Sequence, residues 1–330
     1  MDFHDIERPM KFIDTPKYIP PDWYEVAIGE MVDLLSKQNG LVSIYQIGHV
    51  STPGISDIDL VAVFSDDANC LLDPRQALSA DGRYLFVHDL FGASQSDFLA
   101  SQTYSFFHNY VHLWGKKLDE SSAPLPSAEQ LVLKKQLALE YLVKMYIGMT
   151  VEKTYQVINL RSLMLQAKGL LYDCEFLGVT DGPFIAAIRR LVAVREQWFQ
   201  TRPRFEDLRA EYLSLYDELT AFLGRALRRD TLFCSPAPPY RLSRNIRLHA
   251  DESLRCRHSG WNVSPRLAFL GRLYFKLQHR CNRFEFALPL EYQSIPAVLQ
   301  RQFDWQRQMH QNNRERFPHF MPLSSGLPLS

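Results

Sequence analysis

Nowhere in the 330 residues does an apolar run approach the roughly 18 residues that a membrane-spanning helix needs. The opening stretch, MDFHDIERPMKFIDT, mixes charges and lacks the apolar stretch of a signal peptide. Cysteine is scarce: five residues, at 70, 174, 234, 256 and 281, scattered and odd in number. That pattern argues against a disulfide framework and suits reduced thiols. An excess of either charge is missing as well, with 37 Lys and Arg against 37 Asp and Glu. No global field therefore draws the molecule to nucleic acid or to an anionic membrane, and such binding would need a local patch. There is no internal repeat and no low-complexity tract. These absences lead to the expectation of a soluble cytoplasmic protein with no membrane partner.

What is present is apolar mass: 46% hydrophobic and 12% aromatic residues, enough for two ordinary cores. Asp22-Trp23-Tyr24-Glu25 has the form of a capping box and predicts a helix running to Asn39-Gly40. LVSIYQIG, residues 41–48, reads as a strand from its β-branched and aromatic content and bounding glycines. The turn STPGISD leads to a second strand at 58–64, and a short helix at 74–79 leads to a third, YLFVH, at 84–88. A fourth is expected at 110–115. Beyond Pro124 the pattern becomes helical, opening on a second capping box at Ser127 and Gln130, with further helices near 152–169, 183–200 and 204–228. Leu131, Leu133, Leu137, Tyr141 and Met145 recur near helical spacing and read as bundle core. After a loop with several prolines at 234–240, a hairpin over 245–258 and a helix over 265–284 are expected, followed by a loosely held tail from Arg316. The expected division is 1–120, a core with an N-terminal arm; 121–233, a helical bundle; and 234–330, a basic segment packed on the bundle.

The chemistry concentrates in residues 47–60. Asp57 and Asp59 stand one residue apart at the start of a strand, so side-chain alternation turns both carboxylates to one face. Two like charges side by side in a partly buried setting are costly without a cation, and oxygen ligands favour Mg2+ or Mn2+.

This stretch resembles the nucleotidyltransferases of the DNA polymerase beta superfamily. The resemblance rests on a strand ending in Gly48, a turn containing Gly54, and Ser56-Asp57-Ile58-Asp59 opening the next strand. It spans about residues 22–120, and it implies an α+β protein: an N-terminal nucleotidyltransferase-fold mixed sheet with flanking helices, followed by a mostly helical domain. It further implies transfer of a nucleoside monophosphate from a nucleoside triphosphate, ATP first, to an acceptor hydroxyl on a small molecule or a protein, with release of pyrophosphate. A nucleic-acid acceptor is less favoured by the neutral charge. Asp57 and Asp59 would hold the metals, and a third carboxylate on a neighbouring strand would complete the site. Asp89, directly after YLFVH, is the candidate for it. Gly48, His49, Ser51 and Ser56 would contact the nucleotide. His49 stands where the family has a small residue, and its imidazole either donates to a phosphate or obstructs it. The alternative is a protein that keeps the fold as a binding or scaffold module without turnover.

Other features read more plainly. His88 is expected to be a strand-end histidine without a role. Residues 241–284 hold ten Lys or Arg against two acidic residues, and Arg272, Lys276, Arg280 and Arg283 would line one helical stripe. That stripe serves either an anionic ligand or, as slightly preferred, a solvated face paired with acidic neighbours. Cys256 with His258 and His279 with Cys281 have spacings too short for an ordinary zinc site. Lys144 and Lys153 read as solvated helix positions.

Overall fold

A computed structural model describes residues 10–105, 109–118, 125–235 and 237–324. After β1 (Lys11–Ile13), α1 (Pro21–Leu35) opens on proline, whose ring presets the helical φ and whose missing N–H is a donor that a first turn leaves unpaired anyway. Asp22 thus lies inside the helix, and no side chain caps it. Next come β2 (Leu41–Ile47), β3 (Asp59–Phe64), α2 (Ala80–Leu85), β4 (Phe91–Ser94), α3 (Gln95–Tyr104) and β5 (Tyr110–Gly115). The helical stretch holds α4 (Ser127–Tyr155), β6 (Val157–Asn159), α5 (Leu160–Ala167), α6 (Gly169–Phe176), α7 (Pro183–Gln197) and α8 (Phe205–Arg229). The remainder is β7 (Tyr240–Ser243), β8 (Ile246–Ala250), β9 (Arg255–Gly260), α9 (Arg272–Cys281), β10 (Asn282–Leu288), α10 (Ala297–Arg316) and β11 (Met321–Pro322). The architecture is mixed helix and sheet, compatible with α+β. Among the described residues no helix is long and apolar enough to cross a membrane.

The described residues divide into two compact units, one of 10–16 and 134–295, the other of 17–133 and 296–324. The second unit is built on a five-stranded mixed sheet in the order β11-β4-β3-β2-β5. Within it β2 runs antiparallel to β3 and β5, while β4 runs parallel to β3. Alternation along β3 splits its side chains between two cores. Leu60, Ala62 and Phe64 pack with Tyr24, Met31 and Leu35 of α1. Val61 and Val63 pack with Phe98 of α3 and Met309 of α10. A strand covered on both faces is apolar throughout, which is why β3 is so legible in sequence.

The third expected strand is a correction. YLFVH is the end of α2 and a loop, because Ser79 Oγ accepts from the Gly82 amide at 3.0 Å and starts a helix there. The strand itself is FGAS, β4. Along α4, Leu137 and Met145 are buried as expected, whereas Leu131 is exposed. Residues 245–258 do not form a hairpin. β10 lies between β8 and β9 in the order β7-β8-β10-β9, and the expected helix over 265–284 shortens to α9 followed by β10. Arg283 therefore leaves the basic helical stripe, and its guanidinium caps α9 by donating to the carbonyls of His279 and Arg280, each at 3.1 Å.

The C-terminal stretch also departs from expectation, since residues 296–324 belong to the unit of the five-stranded sheet and the described part of the tail, 316–324, is packed on it. In α10, buried Gln302 and Asn313 donate to the carbonyls of Tyr104 and Gly92, at 3.0 and 2.8 Å. Buried amides with backbone partners make a core-facing helix read as polar. Arg316 donates to the Ala68 carbonyl at 2.7 Å, and Phe317, fully buried, stacks on Phe64 at 4.7 Å. Phe317→Ala should lower unfolding free energy by about 3–5 kcal/mol in chemical denaturation. A loss below about 1 kcal/mol would mean that the tail is not packed as described.

In the unit of residues 134–295, burial pushes the pKa of Glu152 up to about 7, against the opposing pull of the Asn159 amide and the Tyr212 hydroxyl. The native state thus holds a proton that the unfolded chain, with a value near 4.5, releases. Native stability is therefore highest below that unfolded value and falls as pH rises, until it levels off above about 7. Glu152→Gln should flatten this fall, gaining up to about 3 kcal/mol at pH 8 by urea titration. An unchanged pH profile in the variant would refute the assignment.

Candidate metal centre

The turn between β2 and β3 is closed by its own backbone. Thr52 carbonyl oxygen accepts from the Ile55 and Ser56 amides at 3.0 and 2.8 Å, and Gly54 takes a left-handed φ of 84° that favours glycine. Ser56 Oγ accepts from the Thr52 amide at 3.0 Å. Tyr24 of α1 reaches beneath the turn: its hydroxyl accepts from the Gly54 amide and donates to the Ser56 carbonyl, both at 2.8 Å. Tyr84 donates to the Gly54 carbonyl at 2.6 Å. The turn is therefore fixed from below by two phenols, and it delivers Asp57 and Asp59 to the start of β3.

The far side of the site comes from the segment after α2. The Ile58 amide donates to the Leu85 carbonyl at 3.0 Å, while Phe86 and Leu90 are buried anchors on either side of His88. This pins His88 over β3. Its Nε2 lies 2.7 Å from Asp59 Oδ1, and its Nδ1 lies 2.7 Å from the Asp89 carbonyl oxygen. Its ring meets Phe91 edge-on at 5.3 Å. With an acceptor oxygen at each nitrogen, the doubly protonated ring is favoured. Burial opposes that charge, but contact with Asp59, the Asp89 carbonyl and the charge of Asp57 together outweigh it and raise the pKa of His88 to about 9.

Asp57, Asp59 and His88 each offer a ligand atom within 4.8 Å of the others, all on half-buried residues, and this group can bind a metal ion. Two carboxylates at that separation repel by about 3 kcal/mol at an effective dielectric constant of about 20. A positive charge has to offset this, and in the protein alone the imidazolium supplies it. The residues also pass a test of fit. Asp59 Oδ1 is buried with only the His88 nitrogen at 2.7 Å beside it, so once the imidazole releases its proton both atoms have an electron pair for a cation.

The expected site residues divide. Asp57 and Asp59 come together as anticipated, whereas the third member is His88 and not Asp89. Asp89 follows a loop rather than a strand, is half exposed, and pairs with Arg75 at 3.4 Å. The strands flanking β2 and β3 carry FGAS and YVHLWG, and neither contains a carboxylate. Asp59 stands opposite Ile47, so the Gly48 bend lies beside the carboxylates. Gly48 has φ 68°, but its amide is already donated to the Asn109 carbonyl at 2.9 Å, which makes its contribution one of shape. His49 and Ser51 are exposed on the turn, and Ser56 is buried within it. The sequence offered one signal for His88, its place directly before Asp89. Reading the preceding run as a strand put the wrong residue of the pair into the site.

Among the described residues no second group of this kind occurs, and Cys256, His258, His279 and Cys281 do not converge. No family model matches the chain, and neither does any curated protein or solved structure.

Tyr24→Phe removes the hydroxyl that satisfies the buried Gly54 amide and should cost about 1–3 kcal/mol of stability. It should also weaken Mn2+ binding several-fold as the Asp57 turn loosens. Calorimetric titration of the folded variant with native affinity would show that the phenol does not position the carboxylates.

Proposed function

We propose that the chain is a metal-dependent nucleotidyltransferase that moves a nucleoside monophosphate from a nucleoside triphosphate, ATP first, to an acceptor hydroxyl. The observation that carries this reading is the convergence of Asp57, Asp59 and His88 beside the Gly48 bend, at one end of a mixed sheet. With the proton of His88 released as the ion binds, the donor set of two carboxylate oxygens and one imidazole nitrogen suits Mn2+, and Mg2+ if the carboxylates act alone. A bound divalent ion supplies charge neutralisation for the phosphates. The chain's own contribution is to hold the two carboxylates rigidly and to give the phosphates the open side of the 49–51 turn.

In the reaction the acceptor oxygen forms a bond to the α-phosphorus. The bond from that phosphorus to the bridging oxygen breaks, its electron pair leaving with pyrophosphate. The hydroxyl proton passes to a carboxylate of the site. Such chemistry depends on positioning and charge, so loss of one carboxylate is severe. The acceptor is a small molecule or a protein hydroxyl, since the balanced net charge gives a long nucleic acid no general attraction.

One observation favours a second reading, a fold that binds nucleotide without turnover. The third acidic position is occupied by an imidazole, and Asp89 is engaged by Arg75. Incubation with Mn2+ and triphosphate labelled at the α-phosphate separates the two. Transfer of label with pyrophosphate release, reduced at least a hundredfold in Asp59→Asn, supports the enzyme. Metal-dependent binding without transfer supports the binding module, and native transfer by the Asn variant places the chemistry elsewhere.

A further inference from the structure

The helical unit contains a cavity of about 310 Å³ between α4, α5, α9 and β8. That volume suits a small molecule. Its walls are largely apolar and aromatic, with Tyr141, Tyr155 and Phe275 contributing rings and Met145 and Met149 contributing thioethers. Glu152 is the one acidic residue of its lining. Glu152 Oε1 accepts from the Asn159 amide at 3.1 Å and Oε2 from the Tyr212 hydroxyl at 3.3 Å. Both donors are neutral, and among the described residues no basic side chain pairs with this carboxylate.

We propose that this cavity is a binding site for a small organic cation, a primary amine or quaternary ammonium group carried on an apolar body. Three features point the same way. The ionised carboxylate lacks a counter-charge, and a cationic ligand supplies one. Ring faces attract cations electrostatically, most strongly where water is excluded. Methionine sulfur packs adaptably against an apolar or aromatic body. An anionic ligand would instead meet an uncompensated negative charge.

Burial raises the pKa of Glu152 to about 7, so at pH 8 the carboxylate is ionised and the demand for a partner is present. Lys144 also lines the cavity, but it lies eight residues away on the same helix, about 12 Å along the axis. Its amine is held 6.0 Å over the Tyr141 ring, and burial lowers its pKa. It therefore leaves Glu152 unneutralised. Burial likewise lowers the pKa of His279, which is neutral at pH 8.

Every lining residue belongs to the helical unit, so this site stands or falls apart from the metal centre. The test is calorimetry on the full chain at pH 8 with three probes of one shape: phenethylamine, the neutral 2-phenylethanol and the anionic 3-phenylpropionate. The amine is expected to bind at least tenfold more tightly than the alcohol, with the acid weakest, and Glu152→Gln should cost at least tenfold in amine affinity. A second variant guards against misfolding of the first. A side chain at Gly148, on the cavity wall, meets no atom within 4 Å of its Cβ and replaces the weaker helix former. Gly148→Leu should therefore fold and block the amine. Equal binding of amine and alcohol overturns the proposal, as does preference for the acid, no amine binding at millimolar concentration, or native affinity in Gly148→Leu.

Discussion

Two carboxylates cannot share a half-buried hollow without a positive partner, and the sheet-bearing unit is arranged around that constraint. Asp57 and Asp59 are brought together by a turn in which the amides of Thr52, Gly54, Ile55 and Ser56 all have acceptors, so the backbone that carries them cannot relax to relieve the repulsion without breaking those bonds. His88 is delivered from a different part of the chain, between two buried anchors, and its imidazolium answers the charge. Folding thus brings three potential ligand atoms together, and a metal ion could bind there in place of the proton on His88.

The surrounding fold gives this arrangement its rigidity. β3 is covered on one face by α1 and on the other by α3 and α10, so the strand that carries Asp59 has no freedom to shift register. The same α1 that buries Met31 and Leu35 supplies Tyr24 to the underside of the turn. Packing and site geometry are thus set by one helix, and a change in its seating would reach the carboxylates directly. α10 and β11 close the sheet beyond β4, where Asn313 and Arg316 satisfy backbone carbonyls.

The parts of this design that follow short-range patterns were legible in the sequence. β2 announces itself by an apolar run between glycines, β3 by its unbroken apolar run, and the paired aspartates by their spacing. α10 was invisible because its buried face is made of glutamine and asparagine as well as leucine and phenylalanine, and a polar residue with a backbone partner carries no periodic signal. β10 was hidden because it intervenes between strands that are neighbours in sequence but not in space. His88 was misread for a related reason. Its role depends on a loop whose path is set by the burial of Phe86 and Leu90, and the place of Asp89 directly after an imagined strand gave it the site instead.

The clearest measurement on the metal centre is paramagnetic. Substoichiometric Mn2+ added to protein with 15N-labelled histidine should broaden the ring resonances of His88 first and most, with those of the other histidines following only as the ion is raised. Selective loss at His88, abolished by Asp57→Asn, is the expected result. Broadening that spares His88, or that spreads evenly over all histidines, would contradict a cation held by Asp57, Asp59 and His88.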